Sequence, residues 1–244
     1  MAAVLSRSER VARGVGHSLC VLGLVFLVTP IVVVIPLSFS AESLFSYPMH
    51  GVSLGWYEAI VHSSAWQRAL RNSLVIGLAT TLIATALGAV AALGINKLRP
   101  RWRSVLVAVL ISPMIVPGVV IPLGLFLFFS PLGLAGNLTG IVAAHTILGI
   151  PFVVITLSPA LLGFDDNLMR AAANLGAAPF TAYRRIMFPL MLPALVASAL
   201  FVFVTSFDEF IVASFLAGPE QYTLPLQMWS GVHHDVNPTI LAAV

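Results

Sequence analysis

The sequence predicts an all-α membrane protein, a bundle of helices that cross the bilayer several times. Of its 244 residues, 59% are hydrophobic and only 9% are charged, whereas about a quarter are charged in a typical soluble domain. Apolar runs of about 20 residues, enough for a helix to cross the hydrocarbon core, recur along the chain. A water-soluble globular domain is therefore excluded.

Five apolar runs predict membrane-spanning helices. They cover residues 19–39, 73–95, 104–129, 141–162 and 193–217. Breaker residues at 130–140 separate the third from the fourth. Residues 239–244 predict the start of a sixth helix, so we expect about six spans with the last one cut short in this chain.

The leading run could also be a secretory signal, because Arg7, Arg10 and Arg13 precede it. It is longer than the usual core of about 7 to 15 apolar residues and has no clean cleavage pattern. We therefore expect an arm at 1–18, an uncleaved helix at 19–39 and an outer loop at 40–72.

Charge sets the orientation. Apart from Arg68 and Arg71, the 12 Lys and Arg residues lie in the arm, in the loop 97–103 or in the interval 163–189. The positive-inside rule assigns these segments to the cytoplasm, which makes the outer loop periplasmic. The basic residues form no phosphate-tracking stripe, so we expect no nucleic-acid partner.

Prolines and small residues predict tightly packed inner helices. Prolines bend helices in the third and fourth runs, at Pro113, Pro117, Pro122, Pro151 and Pro159. Small residues in the second run suit close helix contacts, at Gly77, Ala79, Ala84, Ala86, Gly88, Ala89, Ala91 and Ala92.

The polar interval 163–189 predicts two short helices. Asp165 or Asp166 caps the first, and Gly176 ends it in a left-handed conformation. Pro179 begins the second, which is expected to carry Arg184 and Arg185 in its last turn. Helices of about ten residues are unstable alone, so both must pack against something.

These residues resemble the EAA loop of the membrane subunits of binding-protein-dependent ABC importers. The matching positions are Arg170, Ala171, Ala172, Leu175, Gly176, Ala177, Ile186 and Pro189, with nine residues between the glycine and the isoleucine. Arg170 stands where the family has glutamate and Phe188 where it has leucine, which puts in doubt any ion pair that the family's glutamate makes with its ATPase.

The resemblance implies a type I ABC importer permease fold over 73–244, with an ATPase-docking loop at 163–190. It also implies an inner-membrane protein with a cytoplasmic amino terminus. Its partners would be a second permease subunit, two copies of an ATP-binding subunit and a periplasmic binding protein. The chain has no G-x-x-x-x-G-K-[ST] motif for ATP, so we expect no enzyme activity, no cofactor and hydrolysis in a separate subunit.

Within the family, residues 206–210, Ser-Phe-Asp-Glu-Phe, are most similar to the spermidine/putrescine permease branch. Branches for ferric iron, thiamine, phosphonates and opine-like or amino-acid-like compounds carry similar segments and stay open. The resemblance therefore implies import of a small solute, with a polyamine as the first choice.

Asp208 and Glu209 are the acidic residues inside a predicted span. A carboxylate costs about 2.5–3.5 kcal/mol at the centre of such a helix, so a cation path or a structural hydrogen bond must compensate it. We place both Asp208 and Glu209 on the candidate substrate path and expect Asp208 to supply its charge. The two side chains point about 100° apart on a helix, so we do not expect both to face one cavity. His145 is either a packed residue or part of that path.

Other functions are less well supported. Adjacent His233 and His234 lack further ligands at metal-binding spacing, so no metal site is expected. A secondary transporter should show inverted repeats, and the sequence has no such symmetry. An intramembrane serine protease, with serine and histidine on two helices, would be recognised by activity of the isolated chain.

Overall fold

A computed structural model describes residues 7–42, 51–234 and 239–243. Within these ranges the secondary structure is helical, apart from one isolated β-bridge between Ser40 and Val52. The helices are α1 (Arg7–Leu37), α2 (Gly55–His62), α3 (Ser64–Asn96), α4 (Pro100–Ile115), α5 (Val120–Phe129), α6 (Leu138–Leu162), α7 (Asp166–Asn174), α8 (Pro179–Ala182), α9 (Phe188–Phe207), α10 (Ile211–Leu216), α11 (Leu224–His234) and α12 (Thr239–Ala243).

The described helices fit a multi-pass membrane protein. Four are long and apolar enough to cross a bilayer, and a bent pair would make a fifth. The four cover Gly14–Leu37, Ser64–Asn96, Leu138–Leu162 and Pro179–Phe207. This agrees with the all-α fold class and roughly with the predicted number of spans.

The chain divides into two compact units, one of residues 1–63 with 228–244 and one of residues 64–227. In the first unit, the segment after α1 is fixed by two aromatic side chains of α2. The Tyr57 hydroxyl lies 2.7 Å from the Ser38 hydroxyl, and Trp56 Nε1 donates to the Ser40 carbonyl at 2.8 Å. These two aromatic residues therefore make specific polar contacts within the unit.

In the second unit, α3, α6 and α9 pack together around small side chains. Ala84 on α3, Val153 on α6 and Val202 on α9 are fully buried in one cluster. A Cβ atom added at Gly88 would lie 2.6 Å from Val153, so only glycine permits this approach. The close packing predicted for the second apolar run is confirmed.

The third predicted span is not one straight helix. The chain bends by 99° between α4 and α5, and Pro117 lies in the break. Val116 has an extended backbone, with φ −70° and ψ 139°, as expected for a residue whose helical conformation is blocked by a following proline. The bend that the prolines of this run predict is therefore confirmed, as a break of 99° that divides the span into α4 and α5.

The second helix of the polar interval is also longer than predicted. After α8, a π-helical turn at Tyr183–Met187 leads directly into α9. Arg184 and Arg185 lie in this turn and not at the end of a short helix. Pro189 follows it closely, and a proline removes a backbone donor and crowds the preceding turn, which accounts for the irregularity without ending the helix.

Candidate functional site

The loop between α7 and α8 has the geometry that its sequence predicts. Asp165 precedes α7, and its Oδ1 accepts a hydrogen bond from the Asn167 backbone N–H at 2.9 Å. At the other end Gly176 has φ +82°. Its N–H donates to the Ala173 carbonyl and that of Ala177 to the Ala172 carbonyl, both at 2.9 Å, which is a Schellman ending.

Most predicted docking residues lie on the surface of this loop. Arg170, Ala171 and Gly176 are exposed, whereas Ala172 is buried. The apolar side chains of Leu175 and Phe180 are 89% and 75% exposed. The loop therefore presents apolar side chains that nothing in its own unit covers.

The end of the predicted docking segment, with Ile186 and Pro189, lies in the helix that continues from α8 into α9, whereas Ala177 precedes that helix. Ala177 and Ile186 are half-buried, and Pro189 is exposed in the first turn of α9. Nearby, Lys97 Nζ lies 5.5 Å from the centre of the Tyr183 ring. A side-chain hydrogen bond with Tyr183 raises the pKa of Lys97 above its ordinary value, so the lysine stays positively charged.

A second candidate site is a cavity of about 240 Å³ within the helix bundle. His145 of α6 is 3% exposed, and its Nδ1 lies 2.8 Å from the Ser206 hydroxyl of α9. Its Nε2 has no hydrogen-bond partner among the described residues. The cavity is lined by Met114, His145, Leu148, Gly149, Phe152, Val202, Thr205, Ser206 and Glu209.

A break between α9 and α10 places the two acidic residues differently. Asp208 ends α9 and is exposed, and it is not among the residues that line the cavity. Glu209 lines the cavity, and its Oε1 accepts a hydrogen bond from the Val212 backbone N–H at 2.9 Å. The structure thus brings Glu209, His145 and Ser206 together and leaves Asp208 outside.

Sequence reasoning missed the contacts that hold the segment after α10. The Asn72 amide donates to the carbonyls of Glu220 and Tyr222, at 2.9 and 3.0 Å, and Arg68 forms an ion pair with Glu220. No local pattern marks these pairs, because their partners lie about 150 residues apart in the chain. They fix residues 218–223 against α3.

Two sequence patterns, a histidine pair and a serine motif, bear on metal or catalytic chemistry. Among the described residues, no group of three His, Cys, Asp or Glu side chains is placed to hold a metal ion. The side chains of His233 and His234 lie outside the described set. A Gly-x-Ser-x-Gly pattern occurs at 51–55. There the Ser53 hydroxyl accepts a hydrogen bond from the Gly55 backbone N–H at 3.0 Å.

The chain is similar in sequence to membrane components of transport systems. The family model described as binding-protein-dependent transport system inner membrane component matches residues 84–244. The spermidine/putrescine transport system permease protein PotC of Escherichia coli (strain K12) is 31% identical over 217 residues, 89% of this chain and 82% of PotC. The putrescine transport system permease protein PotI of the same strain is 31% identical over 229 residues, 91% of this chain and 81% of PotI.

A solved structure has the same fold. The crystal structure of a bacterial ABC transporter that imports the acidic polysaccharide alginate matches with a TM-score of 0.76, covering 99% of this chain and 92% of that chain at 19% identity. This match shows the shared fold, while the family model and the sequence relatives assign the chain to a family. The chain belongs to the family of inner-membrane permease components of binding-protein-dependent ABC transport systems.

Proposed function

We propose that this chain is the permease subunit of a polyamine importer, and that it forms half of the path for spermidine or putrescine. The observation that carries the proposal is a carboxylate, Glu209, at a cavity inside the bundle. Two permeases named for polyamines are each 31% identical over about nine tenths of the chain, and they support the same substrate class.

The cavity suits a cationic solute. A carboxylate inside a membrane-spanning bundle is costly unless a positive charge or hydrogen bonds compensate it. Glu209 has one such bond, to the Val212 N–H, and the rest of the carboxylate is free to attract a protonated amine. The free Nε2 of His145 supplies a second polar group in the same cavity.

The cavity favours Glu209 over Asp208 as the main charged residue of the path. Asp208 is exposed at the same break in the helix. We propose that it supplies a second negative charge at the face shared with the other permease subunit.

The loop between α7 and α8 is proposed as the docking site for the ATP-hydrolysing subunit, of which the complete importer would hold two copies. Exposed apolar side chains such as Leu175 and Phe180 are typical of an interaction surface. The Schellman ending at Gly176 fixes the angle at which these two side chains are presented. A periplasmic binding protein would deliver the solute to the opposite face.

The proposed orientation places this loop in the cytoplasm and residues 218–223 outside. Cys20 is the single cysteine of the chain, so Cys20→Ala gives a background for single-cysteine labelling. We expect Gln221→Cys to react with a membrane-impermeant maleimide added to intact cells, and Thr181→Cys to react only after permeabilisation. Labelling of Thr181→Cys from outside would reverse the orientation.

The substrate is tested by reconstituting the chain in proteoliposomes with its partner subunits and binding protein. We expect ATP-dependent uptake of labelled spermidine that unlabelled putrescine reduces. Because phosphonate permeases of the family carry similar segments, uptake of 2-aminoethylphosphonate is measured in parallel. ATP-dependent uptake of 2-aminoethylphosphonate without uptake of polyamines would refute the polyamine assignment.

A further inference from the structure

The second unit carries a groove that is separate from the cavity at His145. It encloses about 700 Å³ and is lined almost entirely by apolar atoms of α3, α6 and the helix that continues from α8 into α9. Leu157 and Leu161 form its floor. On the α3 wall, Ala86 and Ala89 leave room that larger side chains would fill.

The length of the groove matches one leaflet of a bilayer. From Thr81 to Leu93, its wall on α3 extends about 18 Å at the rise of an α-helix. Half of the hydrocarbon core measures about 15 Å. The groove therefore has the length to hold one acyl chain of a phospholipid.

One end of the groove is positively charged. Among the described residues, Arg184 is the one charged side chain in its lining, and none of the lining residues is acidic. Tyr183 lies beside Arg184 in the lining, and the Lys97 ammonium lies 5.5 Å from the Tyr183 ring. An apolar groove with two cations at its end, at the level where a helix leaves the membrane, matches the charge pattern of an anionic phospholipid.

We propose that the groove binds one acyl chain of an anionic phospholipid, whose phosphate contacts Arg184 and Lys97. The apolar side chains of the groove contact the acyl chain, in place of the neighbouring lipids that would surround it in the bilayer. The Arg184 guanidinium makes charge-assisted hydrogen bonds to the phosphate. This lipid would fill the space between α3 and α9 and brace the π-helical turn next to the docking loop.

Native mass spectrometry of the purified full-length protein tests the headgroup contact. The protein is titrated with dioleoyl phosphatidylglycerol and, in parallel, with dioleoyl phosphatidylcholine. Arg184→Gln is compared with Arg185→Gln, because both arginines are exposed neighbours but only Arg184 lines the groove. We expect Arg184→Gln to weaken phosphatidylglycerol binding about tenfold, Arg185→Gln to weaken it much less, and Arg184→Lys to restore most of it.

Equal loss in Arg184→Gln and Arg185→Gln would show a general surface-charge effect and overturn the proposal. Equal binding of the two lipids by the unmodified protein would overturn it as well. All three substitutions are on the exposed surface, so they leave the packed core unchanged.

A second pair of variants tests the apolar part of the groove. Ala89→Phe fills the groove, whereas Val90→Phe adds a similar ring on the exposed side of the same helix. We expect Ala89→Phe alone to abolish retention of phosphatidylglycerol. If Ala89→Phe keeps the lipid but separates the two permease subunits of the assembled importer, the groove is a protein interface and the lipid proposal is wrong.

Discussion

The loop between α7 and α8 and the break between α9 and α10 both interrupt helices, but different kinds of contact determine their shapes. In the loop, every feature that sets its shape lies within a few residues: the cap at Asp165, the glycine at 176 and the proline at 179. Local chemistry is enough to specify it. The loop could therefore be predicted closely from the sequence.

The break at Asp208 combines a local contact with one that crosses the bundle. Glu209 reaches the backbone of α10, while Ser206, one turn earlier, pairs with His145 from a helix about 60 residues away. The adjacent acidic residues thus differ in environment for reasons that lie outside their own helix. The comparison teaches that the docking geometry is encoded locally and the cavity by the tertiary fold.

The largest effect is expected from a substitution that disfavours the left-handed conformation of Gly176. Gly176→Val forces a β-branched residue into the left-handed region, which it strongly disfavours, so α7 and α8 meet at a different angle. We expect transport by the assembled importer to fall more than tenfold while the chain still inserts. The measurement is ATP-dependent uptake in proteoliposomes alongside the amount of assembled complex.

Ala178→Val is the matched control for this variant. Ala178 has φ −61° and ψ 148°, a conformation that valine adopts readily. Its uptake should stay close to that of the unmodified protein. Normal uptake by an assembled Gly176→Val importer would remove the docking role of the loop.

A smaller effect is expected from breaking the tertiary packing at Gly88. In Gly88→Ala, the new methyl group would lie 2.6 Å from Val153, and such overpacking costs about 1–3 kcal/mol. Gly94 on the same helix has nothing within 4 Å of the corresponding position, so Gly94→Ala should stabilise α3 by up to about 1 kcal/mol. Thermal unfolding in detergent should shift downwards for the first variant and slightly upwards for the second.

If both alanine variants unfolded at the same temperature, the contact of α3 with α6 at Gly88 would not limit stability. Close packing at Gly88 would then not be needed to hold α3 against α6.

The smallest effect is expected at the cap of α7. Asp165→Ala removes the hydrogen bond to the Asn167 N–H and should cost about 1 kcal/mol. Asp166→Ala alters the first turn without removing a capping bond, so it should have a smaller effect. Hydrogen exchange should speed up within α7 of Asp165→Ala while α3 and α6 are unchanged; faster exchange in those helices would show that the loop is not an independent local unit.

Features set by neighbouring residues could be predicted from the sequence, whereas most features set by contacts between helices could not. The apolar runs and the turn chemistry at 165–179 predict the fold class and the loop, and the small residues of α3 predict the tight bundle. The prolines of the third run predict its bend, but the size of that bend and the π-helical turn were missed, because a proline can end, kink or merely distort a helix according to its neighbours. The pairing of His145 with Ser206, and the placement of Glu209 rather than Asp208 at the cavity, were missed because each depends on the rotation of one helix against another.

Uptake of labelled spermidine by the reconstituted importer, compared between Glu209→Gln and Asp208→Asn, tests the proposed path most directly. Glu209→Gln keeps an oxygen for the Val212 N–H but removes the negative charge from the cavity. We predict that it lowers uptake about tenfold or more, with ATPase assembly intact, and that Asp208→Asn has a smaller effect. Uptake equal to that of the unmodified protein in both variants would contradict a charged path, and a larger loss in Asp208→Asn would move the path to the exposed side of the break.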